Sequence, residues 1–266
     1  PTTPGRSYIL QLSARGPGII SWWRGENSAF DEADGNHGTL VGNTTYGPGM
    51  VGQAFVFDGY ADRVHLGNPA NLQIQDFTLE AWVRRSSTTD ISFDDNTGGV
   101  GEGGEIIMYG AGGYGVGLTD NGRIFLTRVQ IDGTEVPPVI TDMAWHHLAC
   151  TKSGSTVWFY VDGVRLPAPV PSPYVTTFTF TTPIAIGARG DGPGTFYGRI
   201  DEPSIYRRAL SASEISAIFN AGAAGKFDPS APAPENLAKA RVSIGNVLTN
   251  VFYANNTNWQ TISHPF

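Results

Sequence analysis

The chain has 266 residues, enough for one large β domain together with a fragment of another. Charged residues make up only 15%, while glycine reaches 34 and proline 18, a balance that excludes a helical protein and describes short strands joined by tight turns. The formal net charge of −7 lacks the basic footprint that phosphate backbones demand, so nucleic acid is excluded as a partner. No apolar run is long enough to insert in a membrane.

In chain order, Pro1 to Gly5 reads as linker between modules, with any export signal expected upstream, and Tyr8–Leu12 reads as an extra strand within residues 1–17. Ile19 to Trp23 is a short apolar run, and the polar stretch from Gly25 to Gly38 is a loop by composition. Ala54–Phe57, Asp58-Gly59 and Arg63–Leu66 predict a hairpin. Phe77 to Arg84 alternates, so Phe77, Leu79, Ala81 and Val83 should face a partner sheet. Ser86 to Gly104 is a long polar insertion carrying Asp90, Asp94, Asp95, Asn96 and Glu102, a length that suits a functional loop or a second calcium.

Tyr114–Thr119 and Arg123–Val129, joined through Asn121-Gly122, predict a hairpin with a type I′ turn. Val157–Val161 followed by Asp162-Gly163 predicts another. The lone cysteine, Cys150, allows no internal disulfide and lies in an apolar run as a buried small side chain. Ser211 and Glu214 fit a capping box, and Ile215, Ile218 and Phe219 follow at helical spacing before Gly222. These elements predict an all-β, two-sheet antiparallel jelly-roll sandwich over 18–226 with one short C-terminal helix. A linker over 227–236 should lead to extra strands in 237–266, either a partial second β domain or strands packed on the first.

Several collinear blocks now carry a resemblance. They are Trp22-Trp23-Arg24-Gly25-Glu26, Gly35–Leu40, Gly52–Gly59, Phe77–Val83, Trp145–Ala149, Tyr160–Gly163, Gly198–Glu202 and Tyr206–Ser211. The ordered set resembles laminin-G-like, concanavalin-A-like jelly rolls, as found in exported multidomain proteins beside glycosidase or adhesion domains. The tail from Val242 to Phe266 resembles, more faintly, the start of a galactose-binding-like jelly roll. Pro203 departs from the pattern, standing where the family has a branched apolar residue, and predicts a strand that is interrupted or at an edge.

The resemblance implies a structural calcium. Carried over residue by residue, it would be held by Asp31, Asn36, His37 through its backbone carbonyl, and Asp201, with Asp34 as an extra ligand. From residue types alone, Asp31, Asp34 and Asn36 also suit plain turn formation, and Asp201 also suits capping a loop or pairing with Arg199. The histidines show no ligand spacing, and the neighbours His146 and His147 should point to opposite faces of a strand.

Catalytic patterns are missing from the sequence. There is no paired-carboxylate strand block, no nucleophile elbow and no phosphate loop. Glu102 and Glu105 read as loop residues, and Asp201-Glu202 as neighbours pointing apart. Sugar-binding surfaces stack ring faces on aromatic side chains, and Trp158, Tyr114 and Tyr197 are the candidates. The expectation is a non-catalytic, monomeric module binding a polysaccharide or glycan, secreted or cell-surface. A protein-adhesion or spacer domain with a protein partner is the alternative, and a glycoside hydrolase of the same fold the third reading.

Overall fold

A computed structural model describes residues 18–94, 103–224, 240–244 and 248–252. The sandwich occupies the compact unit Gly16–Gly225, and the C-terminal strands belong to a separate unit. The predicted strand at Tyr8–Leu12 and the linker over 227–236 lie outside the described residues.

The sandwich strands are β1 (Ile19–Trp22), β2 (Thr39–Val41), β3 (Thr45–Pro48), β4 (Gln53–Asp58), β5 (Arg63–Gly67), β6 (Phe77–Arg85), β7 (Gly104–Tyr109) and β8 (Tyr114–Leu118). They continue with β9 (Ile124–Arg128), β10 (Asp132–Glu135), β11 (His146–Ser153), β12 (Thr156–Val161), β13 (Val164–Arg165), β14 (Ile184–Ile186) and β15 (Tyr197–Tyr206). One sheet runs β13-β12-β11-β6-β15-β4-β3, with β1 also on β15, and the other runs β10-β9-β8-β7-β14-β5-β2. The expected two-sheet antiparallel sandwich is therefore present. In the second unit, β16 (Ala240–Ile244) pairs antiparallel with β17 (Leu248–Phe252).

Alternation builds the interior. Phe77, Leu79, Ala81 and Val83 of β6 all lose their solvent exposure in the main core, as expected, against Ile107, Val116, Leu126 and Ile186 of the facing sheet. Cys150 is buried there too. Sequestration from water drives this layer together, at roughly 1.5–3 kcal/mol per large apolar side chain.

Two local expectations change. Segments 53–58 and 63–67 do not form a hairpin, because β4 and β5 lie in opposite sheets. The Asp62 carboxylate draws the chain across, accepting the backbone N–H groups of Asp58 and Asn43. The β8–β9 hairpin does form, but only Gly122 of its turn has positive φ, with Gly122 N–H bonded to Thr119 O, so the turn is not type I′. The β12–β13 hairpin matches the expectation, since Asp162 and Gly163 both have positive φ, at 51° and 75°.

Pro203 interrupts β15 rather than placing it at an edge. The register slips between Asp201 and Ser204 and Glu202 takes φ of 56°, while the strand stays inside the sheet. Proline offers no N–H, and its carbonyl instead accepts from Trp23 N–H at 3.0 Å. The slip divides the strand, pairing Tyr197–Ile200 with β4 and Ser204–Tyr206 with β1.

Helix α1 (Ala212–Ala221) carries the predicted capping box on Ser211 and Glu214. Ile215 buries with Ala149, Tyr160, Tyr206 and Leu210 on the outer face of the larger sheet, and the Phe219 ring lies 5.7 Å from Trp82. That half of the face is sealed. Beneath the helix, buried His147 Nε2 meets Glu80 Oε2 at 3.1 Å, while His146 turns to the other side of β11.

Candidate functional site

The open end of the larger sheet carries an aromatic platform. Tyr197 begins β15, and Phe93 stands on the segment that follows β6. Their rings approach to 4.8 Å between centroids at 49°. Phe93 remains 55% exposed and Tyr60, in the adjoining turn, 65%. Gly59 makes the approach feasible: a Cβ there would meet the Phe93 ring at 2.7 Å and Tyr197 Cβ at 3.0 Å, and its φ of 88° suits glycine.

Hydrogen bonds immobilise this corner. Phe93 N–H donates to Gly59 O at 2.9 Å, and Ser86 N–H donates to Tyr197 O at 3.0 Å. Asp94 is the clasp. Its carboxylate accepts Ala61 N–H, Gly194 N–H, Thr195 N–H and the Thr195 hydroxyl, all between 2.6 and 2.9 Å. An exposed ring on a backbone held this tightly loses little freedom when a ligand stacks on it.

Behind the platform, Asp62 is fully buried. Burial pushes its acid above the ordinary aspartate range, opposed by the amides of Asp58 and Asn43 and reinforced by the Asp58 carboxylate. Asp58 lies opposite Tyr197 in the β4–β15 register. Its Oδ1 accepts Tyr60 N–H at 2.9 Å and its Oδ2 accepts Asn43 Nδ2 at 3.1 Å.

The three aromatic candidates from the sequence separate sharply. Tyr114 is a correction: it is fully buried, its hydroxyl donates to Leu72 O at 2.9 Å, and it packs with Tyr109, Phe77 and Phe178, so it offers no ring to a ligand. Trp158 is half-buried beside the α1 cluster, with the Arg165 guanidinium 4.4 Å over its ring. Tyr197 alone of the three belongs to the open aromatic surface. Phe93 and Asp58 were missed as site residues, and Asp94 was noted only as part of the Ser86–Gly104 insertion. A lone phenylalanine in the polar Ser86–Asp94 run was the available signal, since nothing local would bury it.

Of the five residues expected to hold calcium, Asp31, Asp34, Asn36 and His37 form a hydrogen-bonded loop scaffold, and Asp201 lies on β15. Asp31 is buried, and its two oxygens accept the N–H groups of Trp22, Ala33, Asp34 and Asn36 and the Ser21 hydroxyl. The Asn36 carbonyl accepts the Trp23 indole N–H at 2.8 Å, and His37 Nδ1 accepts Asp31 N–H at 3.1 Å. Asp201 Oδ2 accepts Val51 N–H at 2.8 Å, and Arg199 donates to Pro48 O. Asp34 is exposed. Asp31 and Asp201 do share a neighbourhood, since Trp22 pairs with Ser204 of β15.

Calcium takes six to eight oxygen ligands, and here the Asp31 and Asn36 oxygens already serve N–H donors. An ion at this loop would have to displace those donors. Among the described residues no three His, Cys, Asp or Glu side chains gather as a metal-holding group.

Glu105 also departs from its expected loop. It sits on β7, buried, with Gly194 covering its side chain. Glu102 lies outside the described residues. Among the described residues no helix is long and apolar enough to cross a membrane.

The two packed antiparallel sheets define a jelly-roll β-sandwich. The chain belongs to the concanavalin A-like lectin/glucanases superfamily, whose laminin-G-type model matches residues 58–216. No curated protein matches the chain. Among solved structures it is similar to domain 4 of AbnA, an extracellular arabinanase of Geobacillus stearothermophilus solved with arabinotriose. That match has a TM-score of 0.58 at 20% identity and covers 75% of this chain and 97% of that one. The binding domain of Paraclostridial Mosquitocidal Protein 1 matches at 0.57 and 15% identity, over 77% of this chain and 52% of that one. The binding domain of Botulinum neurotoxin DC, solved with rat synaptotagmin II, matches at 0.57 and 14%, over 77% and 51%. The chain thus spans about half the length of the toxin domains, and the likenesses establish the shared fold.

Proposed function

We propose that this chain is a non-catalytic glycan-binding module of an exported multidomain protein, contacting its ligand through Phe93 and Tyr197. The observation that carries the reading is the exposed Phe93 ring, packed at a tilt against Tyr197 on a segment clasped by Asp94. Water penalises an exposed aromatic, and tight backbone bonding denies it the option of folding away. Sugar rings present an apolar face that such a platform covers, while their rims accept and donate hydrogen bonds. The arabinanase domain solved with arabinotriose supports a sugar ligand for this fold.

Native gel electrophoresis through soluble polysaccharides tests the reading. Retardation of the native chain is expected, and Phe93→Ala and Tyr197→Ala should each weaken it at least tenfold. Phe93→Ala should melt close to the native chain, because its ring is mostly outside the core. Retardation that survives both substitutions would place the ligand elsewhere.

A further inference from the structure

The glycan surface has a polar half, and it carries negative charge. Asp58 and Tyr197 are direct register partners on adjacent antiparallel strands, with inward-facing Phe57 and Gly198 as the next pair. Alternation therefore sends Asp58 and Tyr197 to the same outer face, with Cβ atoms roughly 4.5–5.5 Å apart. Asp58 and Asn43 are both exposed.

The Asp58 carboxylate is oriented before any ligand arrives. Tyr60 N–H holds Oδ1 and Asn43 Nδ2 holds Oδ2. Each carboxylate oxygen accepts about two hydrogen bonds, and with the Asp62 carboxyl also within hydrogen-bond reach of Asp58, one position is left for a ligand donor. That acceptor and the side chain of Asn43, beside a stacking ring, match two neighbouring hydroxyls on one sugar. Asn43 adds a side-chain amide at the same edge.

Charge then selects the sugar. Asp58, Asp62 and Asp94 all bond within the same turn, and the chain as a whole carries −7. The arginines of this face, Arg199 and its register partner Arg84, are each engaged by a backbone carbonyl: Arg199 donates to Pro48 O at 2.7 Å and Arg84 to Met143 O at 3.0 Å. A carboxylated or sulfated sugar set against Tyr197 would meet the Asp58 carboxylate at close range, while the nearby arginines are already bonded to carbonyls.

We propose that Asp58 and Asn43 are the specificity residues of the glycan surface, which takes uncharged sugars through adjacent hydroxyls and rejects anionic ones. This rests on the glycan-binding reading above.

The test compares the native chain with Tyr197→Ala, Asp58→Ala, Asp58→Asn and Asn43→Ala in native gels. The gels are cast with neutral arabinan, galactan, xylan or mixed-linkage glucan, or with anionic polygalacturonate or chondroitin sulfate. The expected result is retardation by at least one neutral polymer and by neither anionic one. Asp58→Ala should weaken the neutral interaction at least tenfold. Should Asp58→Ala fail to fold, Asp58→Asn and Asn43→Ala read the same loss.

Native retardation by an anionic polymer that Tyr197→Ala abolishes would overturn the selectivity and leave the glycan-binding reading standing. Neutral retardation lost in Tyr197→Ala but untouched by the Asp58 and Asn43 variants would overturn their role. Retardation by no polymer would overturn both readings.

Discussion

Asp94 accepts both the amide and the hydroxyl of Thr195, a residue 101 positions further along the chain. That clasp ties the Phe93 segment to the start of β15, and so brings Phe93 against Tyr197. Replacing Asp94 with alanine strands the amides of Ala61, Gly194 and Thr195. Hydrogen bonds to a charged acceptor contribute about 1.5–3 kcal/mol, so Asp94→Ala should cost about 2–4 kcal/mol in urea unfolding. Glycan retardation should fall with it. Unchanged stability would show that the clasp is dispensable.

Asp31 organises the loop beside β1 through four backbone amides and a hydroxyl. Asp31→Ala should destabilise the sandwich by about 2–4 kcal/mol, because the buried donors lose their common acceptor. With those oxygens engaged, the native chain should melt at the same temperature in calcium and in chelator. A ligand binding only the native state at 100 times its dissociation constant would add about 2.7 kcal/mol, so a calcium-dependent rise of several degrees would reveal an ion displacing these donors.

His146 introduces a pH dependence near neutrality. Burial lowers its pKa, but hydrogen bonds to Asp162 and Asp142, at 2.8 and 3.1 Å, outweigh this and leave it above the usual histidine value. The protonated form is thus favoured on folding. Its stabilisation is fully present below the unfolded value of about 6.5 and is lost as pH rises through the folded one. Chemical denaturation from pH 5 to 8 should show stability declining with pH, and His146→Gln should flatten that decline. An equal slope in the variant would rule out His146 as the source.

Glu214 acts in the opposite sense at the helix start. The Arg208 hydrogen bonds, followed by the Ser211 amide, lower its carboxyl to about 2. Its contribution is present above the unfolded value of about 4.3 and disappears as pH falls through about 2. The side chain is 38% exposed, so solvent screening reduces the ion pair to a minor share. Glu214→Gln should cost about 0.5–1 kcal/mol at pH 7, and the difference from the native chain should vanish at pH 2. A persistent difference at pH 2 would assign the effect to packing.

The features legible in the sequence were those carried by near neighbours. Phe77, Leu79, Ala81 and Val83 announce their face by a period of two, Ser211 and Glu214 announce a capping box three residues apart, and Asp162-Gly163 announces its turn. Each depends on backbone geometry within a few residues, so the order of the amino acids suffices.

Only the tertiary structure decided the rest. Segments 53–58 and 63–67 alternate equally well whether they pair or separate, and the Asp62 bonds to Asp58 and Asn43 send them to different sheets. Tyr114 and Tyr197 are both strand tyrosines next to glycine, yet the first fills the core and the second meets Phe93 at the surface. Which way an aromatic faces depends on what the opposite sheet and the distant loops place beside it, and that information exists only once the chain has closed.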